Sequence, residues 1–175
     1  LGEITIEQFF KGINKVQPSL IRTEADELTY HFHVMIRYEI EKLLIEEKIS
    51  TKDIAALWNE LYLKNLGVSV PDDLKGFLQD IHWSHGSFGY FATYSTGSLY
   101  AAQFYAAIKK QDPGTEKNIS TGNNDEILKW LRSNIHSKGR LYTSEELCKA
   151  TTGEYLNPAY FIDYATSKYK TIYSS

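Results

Sequence analysis

Apolar side chains recur at intervals of three and four residues along most of this chain, and this spacing strongly constrains its fold. In the clearest case, between Glu24 and Glu47, one stripe consists of Leu28, Phe32, Met35, Ile36, Ile40 and Leu43. Alternating apolar and polar runs, which are typical of strands, are scarce. Residues 67–70 and the region around 140–143 could supply one short β-hairpin at most. The sequence therefore predicts a mainly α chain with at most one short β-hairpin.

Helix-breaking and helix-capping residues indicate where the helices begin and end. The four prolines lie where a helical pattern pauses or begins, because proline removes a hydrogen bond from a helix interior. Three pairs resemble capping boxes: Thr5 with Gln8, Thr23 with Asp26, and Ser50 with Asp53. Asn157 resembles an N-cap, with Pro158 at the first helical position. We expect helices near residues 6–16, 24–47, 53–66, 73–83, 91–110, 125–136, 144–149 and 158–170, with a loop at 111–124.

Length, charge and cysteine content narrow the class of protein. The 175 residues suit one domain or a piece of a larger one, and 42% hydrophobic with 23% charged residues exclude a disordered chain. A net charge of −3 argues against a general nucleic-acid binder, and no apolar run approaches the ~18 residues of a membrane span. The single cysteine, Cys148, excludes an internal disulfide and a Cys-rich zinc module, and it fits a reducing compartment.

Polar side chains on the long predicted helix share one face. Asp26, Tyr30, His33 and Arg37 follow spacings of four, three and four, and Arg22 lies just before them. One interpretation is a wall that faces a polar cavity. The alternative is a solvated face with local ion pairs.

The stretch from Gly76 to Gly97 is the densest in reactive side chains, which are Gln79, Asp80, His82, Trp83, His85, Tyr90 and Tyr94. Histidine can act as an acid, a base or a metal ligand, and a neutral phenol can donate to a developing oxyanion. This stretch is a candidate half of an active site. The alternative is a helix–helix corner whose polar groups are satisfied.

A complete metal site is not predicted for this chain. Catalytic zinc takes three protein ligands with one open position, and none of the five histidines belongs to an H-E-x-x-H sequence. His31 and His33 would point to different helix faces, and His82 and His85 could bind a metal with Asp80 only outside a helix. Nucleophile-elbow, Walker A and dinucleotide-binding motifs are also missing from the sequence.

Two longer motifs resemble those of the carboxypeptidase Taq family of metallocarboxypeptidases, also called thermostable carboxypeptidase 1. Residues 21–26 read I-R-T-E-A-D, which resembles the family's I-R-x-x-A-D. Residues 76–83 read G-F-L-Q-D-I-H-W, which matches its G-x-x-Q-D-x-H-W in full. The similarity extends over nearly the whole chain, with both motifs in the family's order.

The resemblance implies the C-terminal third of such an enzyme, and residues 1–175 would form one helical segment of it. The family's H-P-F, D-x-R-x-T, H-E-x-x-H and H-E-[SG]-Q motifs come earlier, and this chain lacks them. In agreement, the chain begins at Leu1, and its only methionine is Met35. The implied fold is the helical half of a saddle-like zinc peptidase. Zinc or another divalent metal would belong to the full-length enzyme, and this chain would bind none.

The resemblance also implies roles for the motif residues. A forked guanidinium suits a substrate's C-terminal carboxylate, so Arg22 is the expected contact. His82 and Tyr94 are the expected oxyanion donors, because Tyr94 precedes an L-Y-A-A-Q stretch like that of related helical metallopeptidases. Tyr90 and His85 are second choices for the catalytic role. The substrate-binding set includes three residues that orient these groups: Asp26, Gln79 and Asp80.

The expected function is hydrolysis of the last peptide bond of peptides by the full-length protein, and this chain alone is expected to be inactive. Expected partners are a peptide with a free C-terminus, the missing N-terminal part, and a second copy in a homodimer, with no nucleic acid or membrane. The expected location is cytoplasmic. The alternative is a non-catalytic helical peptide-binding or interaction module. The reading frame upstream of Leu1 would discriminate between these two hypotheses. An H-E-x-x-H sequence there would support the enzyme, and a start codon close to Leu1 would support the module.

Overall fold

The computed structural model describes residues 2–174, and within them all regular secondary structure is helical. Eight α-helices are described there: α1 Ile6–Ile13, α2 Thr29–Ile45, α3 Ile54–Leu66, α4 Ala92–Gln111, α5 Thr115–Ser120, α6 Asp125–Asn134, α7 Ser144–Thr152 and α8 Ala159–Tyr173. Short 3₁₀ turns occur at Arg22–Glu24, Thr51–Asp53 and His136–Lys138. The mainly α prediction is confirmed, and neither candidate hairpin segment forms a strand.

Capping side chains start several helices where the sequence predicts. Thr5 Oγ1 accepts from Gln8 N at 3.1 Å, while Gln8 Oε1 accepts from Thr5 N at 2.9 Å. A reciprocal pair likewise joins Ser50 and Asp53 ahead of α3. Each box satisfies backbone N–H groups that a helix start leaves without partners.

The long helix begins later than the sequence predicts, and the side chain of Asp26 bonds to residues at its start. Asp26 Oδ1 accepts from the backbone N of Leu28 and of Thr29, both at 2.9 Å, and Oδ2 accepts from Thr29 Oγ1 at 2.6 Å. Thr23 lies in a 3₁₀ turn instead. The predicted Thr23–Asp26 capping box is therefore wrong, and α2 starts at Thr29.

Two further segments differ from the predicted secondary structure. Residues 73–83 form successive turns rather than a helix, and the side-chain amide of Gln79 there donates to the backbone O of Gly76 and of Leu20. Residues 111–124 are not all loop, since α5 forms at Thr115–Ser120. The side chain of Asp112 precedes α5 and accepts from Gly114 N at 2.8 Å.

The described chain divides into two compact units, one of residues 2–95 and the other Thr96–Ser174. In the first, α2 and α3 enclose a core of Ile36, Ile40, Ile54, Trp58, Leu61, Tyr62 and Leu66. In the second, buried Gln103 accepts from Asn157 N at 2.8 Å and donates to Tyr155 O at 3.1 Å, which fixes the link between α7 and α8. No helix within residues 2–174 has both the length and the apolarity to cross a membrane.

Helix α2 turns a polar face inward, contrary to the predicted apolar stripe. Ile36 and Ile40 of that stripe are buried, but Phe32 is 40% and Met35 57% exposed. His33 and Arg37 are both 0% exposed. The predicted stripe is therefore only partly buried. A polar face can be buried in this way only where its groups find hydrogen-bond partners.

Candidate functional site

Asp80 lies between two arginines of the first unit. Its Oδ1 accepts from Arg22 Nη2 at 2.6 Å and Nε at 3.1 Å. Its Oδ2 accepts from Arg37 Nε at 2.7 Å and lies 2.6 Å from Arg37 Nη2. Burial opposes ionisation of Asp80, but hydrogen bonds and charge from both arginines outweigh it and lower the pKa of Asp80. Arg22, Asp80 and Arg37 form what we call the arginine cluster, which thus holds two cations and one anion.

Both the backbone and the side chain of Arg22 make hydrogen bonds. The side-chain oxygen of Gln79 accepts from Arg22 N at 2.9 Å, and Arg22 Nη1 donates to Tyr30 OH at 3.0 Å. The guanidinium carbon lies 5.0 Å from the ring centre of Tyr94, a favourable cation–π distance. Burial opposes the charge of Arg22, but Asp80 outweighs it and raises the pKa of Arg22.

Arg37 is the enclosed partner of Asp80. Its Nη1 donates to His33 O at 2.8 Å and to Tyr62 OH at 3.2 Å, while its guanidinium lies 4.5 Å from the ring centre of Trp58. The Arg37 side chain is 0% exposed, against 8% for Arg22 and 10% for Asp80. Arg22 and Asp80 are therefore slightly less enclosed than Arg37.

His33 is an interior residue rather than part of a cavity wall. Its Nδ1 and the hydroxyl of Tyr62 lie 2.9 Å apart in a hydrogen bond, and its Nε2 has no hydrogen-bond partner among the described residues. Burial and the nearby positive charge of Arg37 lower the pKa of His33 to about 4. The ring is neutral at pH 7. For His33 and Arg37, both the cavity wall and the solvated face are wrong interpretations.

His82 and Tyr94 form a hydrogen-bonded pair beside the arginine cluster. His82 Nε2 lies 3.0 Å from Tyr94 OH. His82 Nδ1 lies 3.8 Å from Asp80 Oδ1, and it has no hydrogen-bond partner among residues 2–174. The His82 ring centre is 4.4 Å from that of Phe91. Burial lowers the pKa of His82 below its usual value, and its side chain is 13% exposed.

The remaining sequence-predicted residues lie around this cluster. Tyr90 is 51% exposed, with its ring centre 5.8 Å from that of His82. His85 is exposed, and Ser87 Oγ lies 3.0 Å from its Nδ1. Asp26 bonds to the start of α2 and to Gln17 N, and these hydrogen bonds outweigh burial and lower the pKa of Asp26. In the structure it has a capping role.

Sequence reasoning missed Tyr62 and Glu41. Tyr62 hydrogen-bonds both His33 and Arg37, yet no motif marks it. Glu41 is 3% exposed and accepts from Trp83 Nε1 at 2.8 Å, and burial raises the pKa of Glu41. The spacing of four from Arg37 to Glu41 places both on one helix face, a signal that was present in the sequence.

The placement of the His, Cys, Asp and Glu side chains shows whether the described residues could hold a metal ion. Among the residues that the structure describes, no group of three His, Cys, Asp or Glu side chains is placed to hold a metal. His82, His85 and Asp80 do not form such a group. Residues 2–174 therefore do not supply the ligand set of a catalytic metal, and we assign no step to a metal there.

Comparison with known proteins identifies the class as metallopeptidase. The family model of the Carboxypeptidase Taq (M32) metallopeptidases matches residues 1–169. The chain belongs to this family. It is 40% identical to carboxypeptidase 1 of Bacillus subtilis over 98% of its own length, and 41% identical to thermostable carboxypeptidase 1 of Pyrococcus furiosus over 97%. The chain spans 34% of the length of each of these relatives.

Solved structures show the same relationship. A crystal structure of an M32 carboxypeptidase from Deinococcus radiodurans aligns with a TM-score of 0.96 and 38% identity, covering 100% of this chain and 35% of that one. The Pyrococcus furiosus carboxypeptidase aligns with a TM-score of 0.93 and 41% identity, covering 96% of this chain and 34% of the other. The fold is therefore that of one part of these carboxypeptidases.

Proposed function

We propose that residues 1–175 form a C-terminal segment of a metal-dependent carboxypeptidase and supply its contacts to the substrate's C-terminal carboxylate and to the oxyanion. The observation that carries this proposal is the surplus positive charge of the Arg22–Asp80–Arg37 cluster, next to the His82–Tyr94 pair. Membership of the M32 family supports the reaction class. The metal site lies in the rest of the protein under this proposal.

Arg22 is the proposed carboxylate contact because one negative charge is missing from the cluster. Asp80 balances only one of the two guanidiniums, and Arg37 is enclosed. Arg22 is the cation at the more exposed side. A substrate carboxylate would supply the second negative charge and form charge-assisted hydrogen bonds with the guanidinium. Gln79 and Asp80 hold Arg22 in place before a ligand binds.

Tyr94 and His82 are proposed to serve the oxyanion as a pair. Because they share a hydrogen bond, the Tyr94 hydroxyl can donate directly when His82 Nε2–H donates to the Tyr94 oxygen, and His82 then acts through Tyr94. Fixing one donor by another in this way preorganises it for the reaction. Tyr90 and His85, which are more exposed, are second candidates for this role. Asp26 contributes indirectly, because it fixes the start of α2.

Binding of matched ligands tests the carboxylate contact. We would titrate the ¹⁵N-labelled chain with an acetylated dipeptide that ends in a free carboxylate, and with the same dipeptide ending in an amide. The carboxylate should shift the side-chain signals of Arg22 and His82, and the amide should not. Arg22→Met should abolish the difference, and Arg132→Met, at an exposed position of α6, should preserve it. Equal shifts by both ligands would contradict the proposal.

The partners and location also follow from the proposed function. We propose that the segment packs against the remaining part of the same enzyme, acts on peptides with a free C-terminus, and is part of a homodimer. A cytoplasmic location is proposed from the family resemblance and the single cysteine, which suits a reducing compartment.

A further inference from the structure

The two oxygens of Asp80 have different principal partners. Oδ2 accepts from Arg37 Nε at 2.7 Å and has a longer contact to Arg22 Nε at 3.3 Å. Oδ1 faces two groups, Arg22 Nη2 at 2.6 Å and His82 Nδ1 at 3.8 Å. The distance to His82 is too long for a hydrogen bond. Asp80 Oδ1 is the nearby acceptor for this otherwise unpaired buried nitrogen.

We propose that Asp80 is a positioning residue that transfers its Oδ1 from Arg22 to His82 Nδ1 when a ligand carboxylate binds Arg22. The identity of the ligand rests on the proposed function. The ligand carboxylate replaces Asp80 as the partner of Arg22, so Oδ1 loses its strongest hydrogen bonds. The Arg37 contact to Oδ2 keeps the carboxylate in place, and a small rotation brings Oδ1 to the imidazole.

The transfer changes what His82 and Tyr94 can do. A carboxylate bonded to Nδ1 stabilises the protonated imidazole, which takes its extra proton from solvent. Nε2–H then donates to the oxygen of Tyr94, and the phenolic hydrogen is released to point elsewhere. Substrate binding at Arg22 would thereby free the Tyr94 hydroxyl to donate to an oxyanion.

Several groups besides Asp80 act on the protonation of His82. The titratable or charged side chains that face it are Arg22, Arg37, Asp80, His85, Tyr90 and Tyr94. Loss or neutralisation of Arg22 would favour protonated His82 by charge alone. The test must therefore separate this direct effect from the transfer of Oδ1.

A double-mutant cycle makes the separation. The pKa of His82 would be measured by ¹⁵N NMR in the wild-type chain, Arg22→Met, Asp80→Asn and the double variant, with the signal assigned by its loss in His82→Gln. We expect Arg22→Met to raise the pKa of His82 by about one pH unit when Asp80 is present. The rise should be much smaller in the Asp80→Asn background. An equal rise in both backgrounds would overturn the proposal.

A second measurement covers the case in which Asp80→Asn does not fold. The ¹⁵N shifts of neutral His82 report which ring nitrogen carries the proton. In Arg22→Met the proton should reside on Nδ1, and a proton on Nε2 would refute the transfer. A free-carboxylate dipeptide should raise the pKa of His82 in the wild-type chain. The control Arg132→Met, at an exposed position of α6, should show the same rise.

The two proposals fail in different ways. Carboxylate binding without any Asp80-dependent rise in the pKa of His82 leaves the proposed function standing and refutes the transfer. An Asp80-dependent rise in Arg22→Met without carboxylate binding supports the movement of Oδ1 on loss of the Arg22 contact, and it counts against both the carboxylate as its trigger and the proposed function.

Discussion

Arg37 illustrates how a charged side chain can be buried completely in this fold. Its guanidinium meets the carboxylate of Asp80, the carbonyl of His33 and the hydroxyl of Tyr62, and it stacks on Trp58. Removing one partner of a buried ion pair costs about 3–5 kcal/mol, because the other charge remains unpaired. At the residue scale the site therefore depends on complete pairing.

His33 should make stability depend on pH. Its pKa is about 4 in the folded chain and near its ordinary value of ~6.5 when unfolded. Between these values only the unfolded state binds the proton, so stability falls as the pH falls through this window. We expect a loss of about 2 kcal/mol between pH 7 and pH 5, measured by urea unfolding. His33→Gln should remove this part of the pH dependence of the free energy of unfolding. His136→Gln, at an exposed position, is the control and should leave it unchanged.

Substitutions of Arg22 and Tyr94 should separate binding from catalysis in a full-length enzyme that carries this segment. Arg22→Ala should raise KM by about 10- to 100-fold with a smaller change in kcat, because the carboxylate is present in both ground and transition states. Tyr94→Phe should lower kcat by about 10²-fold or more with little change in KM. Steady-state kinetics with an acylated dipeptide measures both constants. A kcat effect for Arg22→Ala together with a KM effect for Tyr94→Phe would contradict these roles.

At the scale of elements, α2 joins the core to the candidate site. Its inward face carries Ile36 and Ile40 together with His33 and Arg37, so one helix supplies both packing and charge. Part of the apolar stripe read from the sequence lies outside, at Phe32 and Met35. The spacing identifies the helix, but which face is buried depends on partners from α3 and residues 79–83.

Paired substitutions on α2 test which face is inward. Ile36→Ala should destabilise the chain by about 2–5 kcal/mol, because it leaves a cavity at a side chain that is 1% exposed. Met35→Lys should change stability by only about 0.5 kcal/mol, because Met35 is 57% exposed. Urea midpoints of this chain provide the comparison. A larger loss from Met35→Lys would mean that the stripe is buried as the sequence predicts.

At the scale of the whole molecule, each compact unit leaves large apolar side chains exposed. In the first unit α1 has no buried residue, and its exposed side chains include Ile6 at 89% and Ile13 at 64%. Large contiguous apolar surface is a feature of interaction sites. In the second unit Leu141 is 78% exposed.

We expect the isolated chain to self-associate. Sedimentation velocity at increasing concentration should show species larger than the monomer, because exposed apolar surface favours association. Ile6→Ser with Ile13→Ser should weaken this association, whereas Leu141→Ser should have less effect because it removes one exposed apolar side chain instead of two. A monomer at every concentration would count against the expectation.

We expect the chain alone to bind no stoichiometric zinc and to release no C-terminal residue from a peptide. Zinc catalysis needs three ligands in fixed geometry and a base that activates water, and Arg22, His82 and Tyr94 cannot replace them. Metal analysis after dialysis and peptide hydrolysis with added zinc are the measurements. Turnover that survives purification and stops with a chelator would show that a metal site exists in this chain.

The sequence by itself determined the helical class, two capping boxes and the family. These are local properties, because periodicity, caps and motifs are all read within a few turns of chain. The motif residues Arg22, Gln79, Asp80 and His82 were also identifiable by resemblance. Their meeting in one cluster required the fold.

Only the tertiary structure decided which polar groups are buried. His33 and Arg37 have the same spacing whether their helix face meets water or a core, because periodicity identifies a shared face and not what covers it. Burial is tolerated here because Tyr62 and Asp80, distant in sequence, supply the hydrogen bonds. The late start of α2 at Thr29 likewise follows from the capping contacts of Asp26, which sequence spacing alone assigned to Thr23.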